Sequence, residues 1–382
     1  MKTNRKIALV LVLASFLLSS CATTAETAKK VDTSNWKIKD IFKYLGTNGG
    51  VLSPEEVRPY AQFIIDNQDP ETGIFEDKFG ESIYSVKAYH LLKRFGYEPK
   101  YPLGVCQGRY CHGASEKMSR QEFRDWLDFI YKNYKGYPAG SIRGHFISPH
   151  VMNLKKQGKS PDDSPYVQEF RKWIIENQGE NGFWNRPDDD DWEGWSGAMK
   201  MDQAFGEADV KVPHPERMIK TVLKCQDAEK GTYYSGGGCA NHNALHTLRQ
   251  WSKRFDMLMW EEVFCSMERH AGYVQRRYDP QTGFFRPPPG YNNAPDPRTT
   301  EITRSEVGNI IGYCNILLKP ENSNLIAVAN QNPPAGEQPI TKERIINLLV
   351  KAEGLGKIAV DRFAEHSREQ HEKKYGKSAE KK

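Results

Sequence analysis

Beyond its first twenty residues the sequence has no long hydrophobic run, and its mean hydropathy of −0.71 is that of a polar chain. A transmembrane helix needs about 20 consecutive apolar residues, so no further membrane span is expected. The chain also lacks any block of Lys and Arg interleaved with aromatic residues, and its formal net charge is only +5. Nucleic-acid binding therefore has no support. Enzymes, binding modules and scaffolds of globular type remain.

The N-terminus differs from the rest of the chain. Met1–Lys6 is basic, Ile7–Leu18 is apolar but too short to span a membrane, and small residues precede Cys21. The ending Leu18-Ser19-Ser20-Cys21 resembles the lipobox of bacterial lipoproteins, which implies a cleaved signal peptide of residues 1–20 and lipidation of Cys21. In a host with two membranes, Ala22 implies sorting to the outer one. We therefore expect a cell-envelope protein held to the membrane by a lipid anchor and a polar tether, residues 21–35; the alternative is a plain secretory peptide.

Cysteine is scarce, with seven in 382 residues. The six beyond Cys21 are Cys106, Cys111, Cys225, Cys239, Cys265 and Cys314. In an oxidising compartment an even number permits disulfides, and Cys106 and Cys111 could close the Gly-rich loop in which they lie. The sequence does not determine the pairing, and buried free thiols are an equal alternative.

A repeated unit organises the middle of the chain: an amphipathic helix, a turn containing Gly and an aromatic residue, and a second helix. In the first copy Val57, Tyr60, Ala61 and Ile64 have the i, i+3, i+4, i+7 spacing of one buried helix face. The clear turns are Gln68–Phe75, Gln178–Trp184, Gln226–Tyr233 and Asp279–Phe285, and the second helices are expected at 82–95, 196–208, 241–254 and 303–318. A degenerate unit has Gly136-Tyr137-Pro138 as its turn and His145–Lys156 as its second helix. A period of about 50 residues with two helices indicates stacked hairpins in a solenoid or a closed ring.

These Gln…Gly-x-Phe/Trp turns between paired helices resemble the repeats of terpenoid cyclases and protein prenyltransferases. The resemblance implies an all-α fold, an α/α toroid, over residues 36–320, followed by a C-terminal helical extension and charged tail over 321–382. It supports the fold better than the activity, because one fold hosts many chemistries. Polysaccharide lyases and unsaturated-glucuronyl hydrolases also use α/α rings.

Catalytic and binding residues are expected at the starts of the second helices, because helices that alternate up and down bring every such start to one end of the ring. About five helix N-termini at one mouth would favour anions. The polar and aromatic residues there are Tyr84, Lys87, Arg143, His145, Trp192, Trp195, Lys200, Tyr233, Tyr234, His242, Asn243, His246 and Arg304. Trp and Tyr beside cations suit the C–H faces of acidic sugars, so an acidic-oligosaccharide cleft is predicted; a polar rim without a ligand is the alternative.

The segment Gly236–His246 is the most unusual. His242 and His246 are four residues apart on one helix face, directly after three glycines. Elimination across a uronic acid needs a base and a group that neutralises the acid. We assign His242 or Tyr234 as base, and Arg143, His145 and Asn243 as groups that orient the acid. Structural capping is an equal interpretation, and Cys239, His242 and His246 are too weak a pattern to predict a metal site.

Aromatic stacking subsites are assigned to Trp184 and Trp195, with Trp192, Lys200, Tyr233 and Arg304 as further substrate-binding residues. Asp188–Asp191 resembles the acid motif of squalene–hopene-type cyclases, which would place Asp190 at the bottom of an apolar cavity; an exposed turn, a helix cap or a calcium loop are alternatives.

The sequence thus favours a carbohydrate-active enzyme, a lyase or hydrolase, whose partner is an acidic oligosaccharide or polysaccharide. A non-catalytic glycan-binding or scaffold lipoprotein is the first alternative and a cyclase-like enzyme the second. The cofactor is left open.

Overall fold

The computed structural model describes residues 31–105, 114–233, 239–288, 294–329 and 338–376. By its contacts the chain divides into Met1–Trp36 and a compact unit from Lys37 onward. In that unit helices follow one another almost without interruption. They are α1 Ile38–Asn48, α2 Pro54–Asp66, α3 Ser85–Arg94, α4 Arg120–Asn133, α5 Gly136–Lys156, α6 Pro165–Glu176, α7 Asp191–Glu207, α8 Pro215–Lys224, α9 Ala240–Arg254, α10 Trp260–Arg277, α11 Pro297–Leu317, α12 Ser323–Ala329 and α13 Lys342–Tyr375. In the described parts, strands are limited to β1 Phe75–Glu76 and β2 Ser82–Ile83, an antiparallel pair.

The fold is an α/α toroid, as the sequence predicted. α2, α4, α6, α8 and α10 are each followed by a partner helix, and these partners, α3, α5, α7, α9 and α11, pack side by side in chain order. The ring closes through both ends of the described chain, because α13 packs along α11 and α1. Lys43 of α1 also forms an ion pair with Glu301 of α11, with Nζ and Oε2 2.9 Å apart. No helix of the described residues is long and apolar enough to cross a membrane.

The predicted repeat turns are present and share one backbone design. Their glycines, Gly73, Gly182, Gly231 and Gly283, all have φ between 69° and 84°, a region that other residues rarely adopt. The aromatic residue two positions later is buried in each case, from Phe75 at 0% exposure to Trp184 at 2%. The turn therefore directs its aromatic ring into the layer between helices.

The glutamine of these turns ties neighbouring hairpins together. In the third clear copy, the Gln226 side chain donates to the carbonyl of Gly231 in its own turn and to that of Ser266 in the next outer helix, at 3.2 and 2.8 Å. Gln178 does the same for Gly182 and His214. Buried carbonyls need such donors, which explains why glutamine recurs at this position.

Three second helices begin earlier than predicted. α5 starts at Gly136 rather than His145, α7 at Asp191 rather than Ser196, and α11 at Pro297 rather than Thr303. A proline in the first turn interrupts no hydrogen bond, because the first N–H groups of a helix have no partner within it. The Gly-Tyr-Pro segment therefore belongs to a helix rather than a turn.

The C-terminal part also differs from the prediction. The helical extension and charged tail expected over 321–382 contain one long helix of 34 residues, Lys342–Tyr375. Its apolar residues Ile345, Leu348 and Ala352 join the main hydrophobic core. This segment completes the ring instead of extending from it.

Candidate functional site

A seam of glycines brings α5 and α7 unusually close. Gly136, Gly140 and Gly144 recur every four residues on one face of α5. A Cβ on Gly140 would lie 2.2 Å from the carbonyl oxygen of Gly197, and one on Gly144 would lie 2.6 Å from that of Lys200. Only glycine permits this approach. The seam sets the distance between the side chains that the two helices present to the ring axis.

A cavity of about 630 Å³ opens beside this seam. Four neighbouring helices line it, with residues from the start of α3, from the first half of α5 and from the middle of α7 and α9. The lining residues that carry polar chemistry are Tyr84, Lys87, Tyr137, Ser141, His145, Lys200, Asp202, Gln203 and His246. We call this the central cavity.

Two lysines give the central cavity an excess of positive charge. Lys200 Nζ lies over the ring of Tyr137, 4.8 Å from its centroid, and Lys87 projects from the facing helix α3. Among the described residues neither ammonium group forms an ion pair with a carboxylate. The Lys87 side chain is open to the solvent of the cavity, yet the surrounding protein still lowers the pKa of both lysines by desolvation, and the charge of Lys200 lowers that of Lys87 further.

His145 lies between these charges. Its ring stacks on Tyr84, with centroids 4.0 Å apart, and its Nδ1 is buried with no hydrogen-bond partner among the described residues. Burial lowers the pKa of His145 to about 4, and Lys200 and Lys87 add to the shift. The imidazole is therefore neutral at pH 7 and has a free nitrogen.

Asp202 is the carboxylate of the cavity lining. Its Oδ2 lies 3.3 Å from His246 Nε2, and its Oδ1 lies 3.1 Å from Arg254 Nη2. A carboxylate that holds an imidazole in place is the arrangement of a general acid–base pair. Sequence reasoning missed Asp202, because the pair joins residues 44 positions apart on two helices.

Among the assigned residues, the structure brings His145 and Lys200 together in the central cavity. His242 lies one turn before His246 on the same helix, and its Nδ1 is 3.1 Å from Asn309 Nδ2. Burial and the neighbouring His246 lower the pKa of His242 to about 4, so it is also neutral. Tyr234 lies outside the described residues, as do Gly236–Gly238.

Three of the assigned residues do not line the central cavity. Arg143 is fully buried, with its guanidinium 4.2 Å from the Trp173 ring centroid, between inner and outer helices. Asn243 is buried and donates to Ser196 Oγ at 2.9 Å. Trp184 is buried too. It donates to the carbonyl of Ile174 rather than lining a subsite. Arg143 and Asn243 lie on helix faces that pack against neighbours, and Trp184 lies in the turn between α6 and α7. A sequence does not show which way each face of an inner helix turns.

The remaining predicted aromatic residues belong to a second cavity of about 430 Å³. Trp192, Trp195 and Tyr233 line it, but only Trp192 is more than marginally exposed. Trp195 donates to the carbonyl of Ala240, and the Tyr233 hydroxyl lies 2.8 Å from Ser266 Oγ. Arg304 is in neither cavity lining; it lies over the ring of Phe363, 5.5 Å from the centroid.

The cyclase interpretation is wrong at its central residue. Asp190 is exposed at the N-terminal boundary of α7 and lines the rim of the second cavity, not the bottom of an apolar one. Its neighbour Asp189 pairs with Arg186, at 2.8 Å. Within the described ranges no group of three His, Cys, Asp or Glu residues could hold a metal ion.

Four of the cysteines are described, and all are free thiols: Cys225, Cys239, Cys265 and Cys314. Cys265 and Cys314 are buried. Cys21, Cys106 and Cys111 lie outside the described residues, as does the whole predicted signal peptide, so the lipidation site and the loop disulfide stay predictions.

Comparison with known proteins gives one distant similarity. No protein-family model matches the chain. No curated protein matches its sequence. A solved structure described as a possible member of the GH105 family, from Salmonella enterica subsp. enterica serovar Paratyphi A str. ATCC 9150, aligns with 82% of this chain and 95% of its own length, at 9% sequence identity and a TM-score of 0.37.

Proposed function

We propose that this protein is a carbohydrate-active enzyme, a lyase or hydrolase, that acts on an acidic, uronic-acid-containing glycan in the central cavity. The observation that carries the proposal is the pair of ammonium groups, Lys87 and Lys200, which face one cavity without a carboxylate partner among the described residues. A charge held in a partly desolvated site needs a counter-charge. An anionic ligand supplies it.

The cavity residues divide into binding and proton-transfer groups. Lys87 and Lys200 bind the uronate carboxylate and neutralise it, which elimination next to that group requires. Asp202 and His246 move the proton, since they are hydrogen-bonded partners at the cavity wall. The earlier assignment of proton transfer to His242 is replaced by this pair, because His246 lines the cavity and His242 is held by Asn309.

The decisive experiment incubates purified soluble protein with a panel of acidic oligosaccharides. Three signals are recorded: ultraviolet absorbance of a new C=C bond for a lyase, new reducing ends for a hydrolase, and heat of binding. Loss of one charge-assisted contact of 1.5–3 kcal/mol predicts that Lys200→Met weakens binding about tenfold to hundredfold. Asp202→Asn should abolish turnover and retain binding. Lys220→Met, at an exposed position of α8, is the matched control. The proposal fails if no polyuronide is bound or cut.

Glycan binding without catalysis is the second candidate. It is favoured by one observation: both oxygens of Asp202 already face cationic or hydrogen-bonding partners, His246 and Arg254. Saturable binding that Lys200→Met weakens, with neither absorbance nor reducing ends, would establish this candidate.

We also propose that the protein is a lipoprotein of the outer membrane. The lipobox-like residues Leu18–Cys21 support this. Metabolic labelling with a radioactive fatty acid should label the wild-type chain and not Cys21→Ser, and the variant should leave the membrane fraction. An unlabelled wild-type chain in the soluble envelope fraction contradicts the anchor.

A further inference from the structure

A third cation, Arg249, lies at the edge of the central cavity. It follows His246 by three residues on α9, and His246 is part of the cavity lining. Residues three apart share one face of a helix, and the axial rise is about 1.5 Å per residue, so Arg249 lies less than one turn further along that face. Burial lowers the pKa of Arg249, and the charge of Asp202, another lining residue, partly offsets this. Arg249 is therefore within electrostatic range of the cavity wall.

The guanidinium of Arg249 occupies the space that a side chain would take at Gly312 of α11. A Cβ at Gly312 would lie 2.5 Å from Arg249 Nη1 and 3.4 Å from its Cδ. Glycine in the interior of a helix is less favourable than alanine, yet here it leaves room for the guanidinium. The group thus has a defined position between two inner helices, α9 and α11.

This guanidinium has no counter-charge. Arg249 is half-buried and forms neither an ion pair nor a hydrogen bond with any described residue, and its Nε is buried without a partner. The nearby carboxylate of Asp202 is bound by His246 and Arg254 instead. Arginine stays protonated in proteins, and a partly desolvated charge needs a counter-charge. The parallel N–H groups of a guanidinium match a carboxylate, so the position suits an anionic group of a ligand that also reaches the cavity.

We propose that Arg249 binds the second carboxylate of a glycan that carries uronates on adjacent sugars, while Lys87 and Lys200 bind the first. The inference rests on the proposed function and narrows its substrate to a polyuronide segment. α7 and α9 are neighbours in the ring, so Lys200 and Arg249 stand on helices about 8–10 Å apart, the length scale of a disaccharide. A neutral sugar beside the first uronate would leave Arg249 without a counter-charge, whereas a second uronate supplies it.

Calorimetry of the full chain with two disaccharides tests the inference. Digalacturonate carries two carboxylates, and galacturonosyl-galactose has the same size but an alcohol in place of the reducing-end carboxylate. The wild-type chain should bind digalacturonate about tenfold to hundredfold more tightly, which is the effect of one charge-assisted contact. Arg249→Met should remove this difference by weakening the binding of digalacturonate alone. Lys200→Met should weaken the binding of both ligands alike, because both keep the first carboxylate.

Two glycine variants of α11 test the position of the guanidinium without removing its charge. Gly312→Ala should displace the guanidinium and reproduce the loss seen in Arg249→Met, since the obstacle is the end of a flexible side chain. Gly308→Ala is the matched control, because an added Cβ there would have no heavy atom within 4 Å. It should bind both disaccharides like the wild type. Urea denaturation checks that each variant is folded.

Several results would overturn the inference. Equal affinity of the wild-type chain for the two disaccharides overturns it and leaves the glycan proposal standing, and this comparison needs no variant to fold. A folded Arg249→Met or Gly312→Ala chain that keeps the wild-type preference for digalacturonate also overturns it. If neither disaccharide binds, the glycan proposal fails and this inference fails with it.

Discussion

The glycine seam between α5 and α7 can be tested by adding a single methyl group. A Cβ at Gly140 would lie 2.2 Å from the carbonyl oxygen of Gly197. Carbon–oxygen contacts in proteins lie near 3.3 Å or beyond, so the helices would have to separate by about 1 Å. Because the obstacle is backbone rather than a flexible side chain, we expect a cost near the upper end of the 1–3 kcal/mol range for overpacking. Alanine returns about 1 kcal/mol of helix propensity. Gly140→Ala should therefore lower the free energy of unfolding by about 2 kcal/mol.

The matched control is Gly354→Ala in α13. An added Cβ there would have no heavy atom within 4 Å, and the residue is exposed. This variant should gain up to about 1 kcal/mol from helix propensity alone. The two variants should thus differ by about 3 kcal/mol in urea denaturation, with an unchanged dependence of the unfolding free energy on urea concentration.

The same change should affect the central cavity. Tyr137 of α5 lies under the ammonium of Lys200 of α7, across the seam. Separating the helices moves the ring from the cation, so Gly140→Ala should also weaken oligouronide binding, whereas Gly354→Ala should not. A Gly140→Ala variant as stable as the wild type would refute the claim that close backbone contact positions this site.

Three further outcomes concern stability. Burial alone would raise the pKa of Glu306, but Arg277 and His270 more than offset it and lower it to about 2. Glu306→Gln should therefore cost about 3 kcal/mol at pH 7. The stabilisation by the Glu306 carboxylate is fully present above its unfolded pKa of about 4.3 and is lost as the pH falls toward 2. The difference in unfolding free energy between the wild type and Glu306→Gln, measured by chemical denaturation, should therefore shrink at low pH. Arg143→Met should retain or raise the melting temperature, because no guanidinium nitrogen of this buried residue has a partner among the described residues; a large loss would reveal an essential contact. Gln226→Ala should lose about 2 kcal/mol by removing the two hydrogen bonds between its side chain and Ser266 of the next outer helix, and an unchanged unfolding midpoint would contradict the bridging role.

The helical repeat was predictable because its signals are local. The spacing of Val57, Tyr60, Ala61 and Ile64 follows from the geometry of one helix, and all four are buried. The positive φ at the turn glycines is likewise a property of a few adjacent residues. The predicted positions of the catalytic and binding residues were less accurate. Trp184 and Tyr233 suggested an exposed rim, yet the turn that contains each of them directs its ring inward.

The sequence by itself determined an all-α chain of repeated hairpins, because periodicity and turn chemistry are encoded within each unit of about 50 residues. Only the tertiary structure decided which residues share the central cavity. The direction in which a side chain points depends on the rotation of each inner helix against its neighbours, and the glycine seam sets that rotation between α5 and α7. Lys87, Lys200 and Asp202 meet in one cavity through helix packing, since they lie on helices whose contacts no local pattern records.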